Sequence, residues 1–385
     1  MANFKVATLM GLAIFSMFFG SGNLIFPLSI GMQTGSNYLT ASIGLVLTGI
    51  IIPFAGLYSM ILYRGNKDLY FGIVGKHAPI ILSLLMLGLL GPFGVIPRCI
   101  IVSFGGISLI WPNLSFIVFS SIFVLVILFS ILEKSKIIPL IGKYLSPLLL
   151  GGIALIIICA FLNKSGTLQV TDAVESLQIG LKEGYQTMDL LAAFFFAISI
   201  IEYITILKIS ESDIPKITLQ ASVIGSGLLA LVYIGFVMLG AYYAPHLTKI
   251  EPPMYLATIA HLTFGAYAKV IIAITIILAC LTTSISLAQL FANFLAKDLC
   301  KGKISHFSSI VITIIVSFLL SLLGFSSISK ILGVILEYLY PALILLTIIA
   351  IANKYFEFKY NKLTFWMVII ITAGCKLVNF EGINL

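Results

Sequence analysis

The stretch Phe18-Phe19-Gly20-Ser21-Gly22-Asn23-Leu24-Ile25-Phe26-Pro27 lies in the middle of the first apolar segment, which runs from about residue 6 to residue 30. A helix that only faces lipid has no use for Gly-Ser-Gly-Asn at its centre. Each glycine costs helix about 1 kcal/mol relative to alanine, and the serine between them can bond its own backbone. Peptide groups freed at membrane depth are tolerated only where protein buries them or a wet cavity receives them. The stretch therefore reads as a broken helix with amides and carbonyls turned toward a ligand. A close-packed face of small residues is the alternative. Asn23 argues against it, because its amide needs hydrogen-bond partners that such a face does not supply.

Composition establishes the membrane in which such a break has meaning. Of 385 residues, 60% are hydrophobic and only 9% are charged, too few to cover a soluble domain of this length. The net charge of +8 follows from loop distribution, so nucleic acid is not an expected partner and the lipid bilayer is. The first segment is too long for a secretory signal and lacks a small-residue cleavage pattern. The five cysteines make no CxxC and no paired spacing, so neither a disulfide frame nor a metal centre is indicated.

Eleven apolar runs are long enough to span, at about 17–25 residues each. They lie near 6–30, 38–62, 78–102, 114–132, 140–162, 186–207, 217–243, 266–296, 307–325, 329–350 and 363–380. With the N-terminus in the cytoplasm, fifteen Lys and Arg fall on the cytoplasmic side and six opposite, Arg98 being inside a span. The positive-inside rule then fixes that orientation, and an odd number of spans leaves Asn384-Leu385 outside. Residues 163–185 read as an outer loop, and about 244–265 as a lid of short surface or re-entrant helix.

A second irregular segment begins with Gly184-Tyr185-Gln186-Thr187-Met188-Asp189 and continues through Phe194-Phe195-Phe196-Ala197 to Glu202. Broken helices at matching positions of two five-span halves point to an inverted-repeat secondary transporter. The competing reading is that Asp189 and Glu202 cap an ordinary short helix. Span eight carries Ala279-Cys280-Leu281-Thr282-Thr283-Ser284-Ile285-Ser286, whose hydroxyls are suited to a hard monovalent cation or else back-bond to their own helix. Ionisable groups inside membranes need partners, so Arg98, Asp189 and Glu337 are candidates for proton coupling or ion pairing. Arg98 pairs with Glu337 or snorkels to an interface; the sequence leaves both open.

These residues resemble a known family. The run from Phe18 to Pro27, Gly91-Pro92 with Pro97-Arg98, and Gly184 to Asp189 are similar, in order and spacing, to motifs of the branched-chain amino acid:cation symporters. The likeness covers essentially the whole chain. It implies uptake of leucine, isoleucine and valine with Na+ or H+ across the bacterial cytoplasmic (inner) membrane. It also implies the leucine-transporter fold, an all-α polytopic protein of two inverted five-helix repeats (1–162 and 186–350) with helices one and six broken. Residues 351–385 would add one extra helix, a span fewer than is usual. By the same likeness, the Ser16, Phe19 and Ala279 carbonyls and the Thr282 and Thr283 hydroxyls would hold Na+. Gly20, Ser21, Gly22 and Asn23 would meet the substrate carboxylate, and Phe195, Phe196 and Ala197, at the second break, would cover its aliphatic side chain. Glu337 has no counterpart in the motif.

The expectation is therefore a secondary active transporter for branched-chain amino acids, driven by Na+ and working by alternating access, with no other cofactor. H+ coupling is the alternative. A channel would need a filter-like sequence, and an intramembrane enzyme a convergent Ser/His or paired Asp; neither is found. Oligomeric state is not encoded in any readable pattern.

Overall fold

In the computed structural model the described residues are 2–131, 140–164, 166, 168–207, 209–211, 213–264, 268–354, 356 and 361–381. Lys134, Lys136, Lys208 and Lys359 of the charge count, and Asn384-Leu385, lie outside them. The described chain is helical: α1 Ala2–Phe18, α2 Ser21–Thr34, α3 Tyr38–Val46, α4 Ile52–Leu62, α5 Lys67–Gly72, α6 Ala78–Leu90, α7 Val95–Ile107, α8 Phe116–Ile131, α9 Ser146–Leu162, α10 Ala173–Gln186, α11 Asp189–Ile206, α12 Ile214–Leu247, α13 Tyr255–Phe264, α14 Ala268–Phe294, α15 His306–Ser321, α16 Phe325–Ala352 and α17 Asn361–Glu381. Seven stretches among them are long and apolar enough to cross a membrane, and four shorter apolar helices accompany them. Helix α8 shows the surface such a protein presents to lipid, with Ile117, Val118, Ile122, Leu125 and Phe129 all exposed.

The first apolar run is two helices, α1 and α2, separated at Phe19-Gly20. The sixth is interrupted earlier than the motif spacing suggests. Residues 194–200 are continuous helix within α11, and the break is at Thr187-Met188, where Met188 takes left-handed angles (φ 63°, ψ 17°). The reason is local. Phe194–Ile200 contains no glycine or proline to interrupt a helix, whereas Asp189 is a favourable first residue beside the positive end of a helix dipole. The segment read as an outer loop accordingly contains α10. Its N-terminus is capped by Asp172, whose carboxylate accepts from the amides of Val174 and Glu175 at 2.9 Å each.

Glycines let both broken pairs approach their neighbours backbone to backbone. A Cβ on Gly31 of α2 would lie 1.9 Å from the Val237 carbonyl oxygen of α12, and one on Gly240 would lie 2.1 Å from that of Leu28. Likewise a Cβ on Gly180 of α10 would lie 2.1 Å from the Ala41 oxygen of α3. Close packing of this kind substitutes for the hydrophobic drive that lipid removes. Helix α14 runs antiparallel to α6 and α7, since Gly106 faces Ile276 and Gly91 faces Phe291. The loop segment about 244–265 includes a tight 3-10 turn, Pro252–Met254, followed by α13.

Candidate transport site

The break at Gly20 has a direct cause. In a continuous helix the Gly20 amide would bond the Ser16 carbonyl four residues back. It bonds the Asn23 side-chain oxygen instead, at 3.1 Å, as half of a capping box for α2. The Ser16 carbonyl is thereby released, and two hydroxyls of α14 meet it: Thr282 at 3.0 Å and Thr283 at 3.3 Å. Thr282 is also 3.0 Å from the Ala279 carbonyl. Gly20 is pressed against the same place, because a Cβ there would be 2.9 Å from Thr283 Cγ2. Four of the five oxygens that the resemblance assigns to Na+ are thus gathered at the end of α1, all neutral. The fifth residue, Phe19, precedes Gly20 directly. Ser286 back-bonds to Thr282 and takes no part.

The other side of Asn23 faces the second break. Its amide nitrogen donates to Asp189 Oδ1 at 3.1 Å and Oδ2 at 3.0 Å, and contacts the Tyr233 hydroxyl. Tyr233 of α12 donates to Asp189 Oδ2 at 2.6 Å. Asp189 is only 2% exposed and Asn23 2%, so this network sits within the protein. A Cβ on Gly22 would come to 3.4 Å from both the Gln186 oxygen and Thr187 Cα, which places the two breaks edge to edge. The Leu190 amide, one of the free donors at the start of α11, bonds the Tyr340 hydroxyl at 3.1 Å.

Arg98 does not snorkel: it is fully buried on α7. Its guanidinium donates to the Gln186 carbonyl at 3.4 Å and to Met188 Sδ at 3.1 Å, and lies 5.7 Å from the centre of the Phe26 ring. Glu337 is exposed on α16. The aromatic residues expected at the break are about two turns into α11. Phe196 packs edge-on against Phe18 at 5.0 Å, and Phe195 lies 6.1 Å from Phe71. Phe195 does line a cavity, one of about 330 Å3 bounded also by Leu87, Glu202, Asn293 and the ion pair of Lys67 with Asp298. A second cavity of about 440 Å3 lies at the opposite end of α7 and α14, between Ile101, Phe104, Pro253, Met254 and Phe325. Phe325 closes its floor by contact with Phe26, at 6.3 Å between ring centres.

Tyr233 and Tyr340 are site residues that motif reasoning passes over, and Gln186 and Met188 lie inside the Gly184–Asp189 motif without a role assigned to them. Their signal was faint: Tyr233 is one of three tyrosines in α12 and Tyr340 one of two in α16, with nothing to single either out, and a methionine is a residue that any core accommodates.

Two broken helices that meet at Gly22 and Thr187, within apolar helices long enough to span a membrane, make up the leucine-transporter-like fold. Solved structures share the fold: a manganese transporter of Eremococcus coleocola (TM-score 0.62, 12% identity, covering 99% of this chain and 87% of that one) and a Na+-coupled sialic acid symporter (TM-score 0.54, 13% identity, 95% and 88%). The profile of the family described as branched-chain amino acid transport protein matches residues 3–383, and the chain belongs to that family. Among its relatives, the branched-chain amino acid permease BrnQ of Bacillus subtilis is 29% identical over 395 residues, covering 98% of this chain and 89% of the permease.

Proposed function

We propose that this protein imports leucine, isoleucine and valine by Na+-coupled symport, through alternating access around the two breaks. The observation that carries the reading is the released Ser16 carbonyl, met by the Thr282 and Thr283 hydroxyls. Neutral oxygens converging where a helix ends suit a monovalent cation, which would draw α1 and α14 together when bound. The donor set fits Na+ in chemistry: carbonyls of Ser16, Phe19 and Ala279, and hydroxyls of Thr282 and Thr283. The amides of Ser21, Gly22 and Asn23 have no acceptor within α2 and lie at the positive end of its dipole, a setting for a carboxylate. The family assignment supports the branched-chain substrate. A pocket walled by aliphatic and aromatic side chains separates such substrates weakly, since one methylene is worth about 1–3 kcal/mol. The two cavities at opposite ends support access from alternate sides.

In this reading residues 1–162 are one inverted half and α10 through residue 350 the other, α10 being the outer half of helix six, and the N-terminus is in the cytoplasm of a bacterial cell. Proton coupling is a second reading, favoured by the buried Asp189 carboxylate with its Tyr233 and Asn23 partners. Uptake of labelled leucine into proteoliposomes under an imposed Na+ or H+ gradient separates the two. Accumulation that follows Na+ and not pH supports the first; accumulation indifferent to Na+ overturns it.

A further inference from the structure

The motif likeness assigns the substrate carboxylate to the backbone of α2 and assigns the ammonium to nothing. Two buried groups of opposite charge lie where the breaks meet. Arg98 and Asp189 are 0% and 2% exposed, and they are not ion-paired with each other, although the guanidinium contacts Met188, the residue before Asp189. A guanidinium has five donors. Arg98 engages a carbonyl at the limit of hydrogen-bond distance and a thioether, a weak acceptor, while its Nε has no partner. A guanidinium evolved only to close the carbonyl end of α10 would be expected to meet stronger acceptors. Its first contact, the Gln186 oxygen, is the one that Gly22 abuts, so the charge sits beside the N-terminal amides of α2. Asp189 follows Met188 directly, and its carboxylate is held by Asn23 and Tyr233.

We propose that Arg98 and Asp189 are the two poles of substrate recognition, the guanidinium receiving the α-carboxylate together with the α2 amides, and the carboxylate receiving the α-ammonium. An α-amino acid carries its two charges one carbon apart and is neutral overall. It pairs both buried groups at once and brings no net charge into the membrane. Selectivity for the zwitterion then resides in Arg98 and Asp189, and preference for an aliphatic side chain in the apolar residues around them.

The inference rests on the amino acid carrier reading, and wild-type leucine binding and uptake test that reading separately. Competition against labelled leucine on purified, monodisperse protein compares leucine with leucinamide, which lacks the carboxylate, and with 2-hydroxy-4-methylpentanoate, which lacks the ammonium. Wild type should favour leucine over both by a hundredfold or more. In Arg98→Gln the preference over leucinamide should fall at least tenfold while that over the hydroxy acid is kept; in Asp189→Asn the reverse should hold. A purely positioning role lowers leucine affinity in either variant and leaves both ratios unchanged, which overturns the proposal. If Arg98→Gln binds nothing, Arg98→Lys decides. A lysine keeps the charge a carboxylate needs, so a folded lysine variant with no binding also overturns it. The corresponding pair at the other pole is Asp189→Asn and Asp189→Glu, judged in the same way.

Discussion

Asn23 donates its side-chain amide to both oxygens of Asp189, at 3.1 and 3.0 Å, so a residue three positions past the first break holds the first residue after the second. The same side chain accepts from Gly20 at 3.1 Å and thereby keeps the first break open. One amide thus couples three things: the end of the α1 ladder, the released Ser16 carbonyl and the orientation of Asp189. Asn23→Ala should cost about 1.5–3 kcal/mol of stability, the worth of hydrogen bonds to a charged group. Leucine uptake should fall more than tenfold. Melting in detergent and initial uptake rates check this; an alanine variant with normal uptake would show that the link is incidental.

Tyr233→Phe keeps the buried ring and removes one donor from Asp189. The expected loss is about 1–3 kcal/mol for leaving the carboxylate short of a partner. Uptake should fall less than in Asn23→Ala, because Asn23 still reaches both oxygens. Equal losses in the two variants would mean that the tyrosine, and not the asparagine, sets the carboxylate's position.

The two breaks differ in how far the residues themselves announce them. At Gly20 the cause is written locally: two glycines, a serine and an asparagine whose side chain replaces a backbone acceptor. At Thr187-Met188 nothing of the kind is present, since methionine is an ordinary helix former and takes left-handed angles there only because tertiary contacts hold it. The second break, which the family resemblance puts at Phe195–Ala197, therefore lies about two turns earlier. Asp189 stands out in sequence as a charge in a span, but its partners do not. Tyr233 is forty-four positions away, and Asn23 one hundred and sixty-six. Helix α10 is legible in retrospect through Asp172 and Glu175, a capping pattern outweighed by the polarity of the segment. The cluster of Ser16, Thr282 and Thr283 is legible only through family resemblance, because a hydroxyl pair in a span equally well back-bonds, as Ser286 does.

For the cation, Thr283→Ala and Thr282→Ala should both raise the Na+ concentration needed for half-maximal uptake, by about tenfold each if a ligand is worth 1.4 kcal/mol. Thr283→Ala should be the cleaner of the two. Thr282 also bonds its own helix at Ala279, whereas Thr283 bonds across to the Ser16 carbonyl of α1. Leucine affinity at saturating Na+ should change little. Sodium titrations at fixed leucine decide the matter, and a half-saturation point that stays put in both variants removes Na+ from this position.

Helix crossings offer a stability test independent of transport. Gly31→Ala places a methyl 1.9 Å from the Val237 oxygen, a contact only backbone movement relieves. Overpacking of this kind costs about 1–3 kcal/mol or more. Gly151→Ala meets nothing within 4 Å and should be neutral or stabilising by up to about 1 kcal/mol from helix propensity. Thermal unfolding in detergent should therefore come at lower temperature for Gly31→Ala and at an equal or higher one for Gly151→Ala, and a Gly31→Ala protein as stable as wild type would contradict the close approach of α2 to α12.

Gly22 lies where the two breaks touch, and graded substitution there probes the gap directly. A Cβ would sit 3.4 Å from the Gln186 oxygen and from Thr187 Cα, and 3.5 Å from the Phe26 ring, so alanine is accommodated with at most a slight shift. Leucine extends three carbons further, among α10, the second break and Phe26. Gly22→Ala should keep measurable leucine uptake with a reduced rate. Gly22→Leu should abolish uptake while the protein still inserts and purifies as a folded species. Insertion assayed by protease protection, alongside uptake in the same vesicles, separates a blocked site from a failed fold. Normal transport by Gly22→Leu would mean that substrate does not pass between Gly22 and Thr187, and the site would have to be sought elsewhere in the bundle.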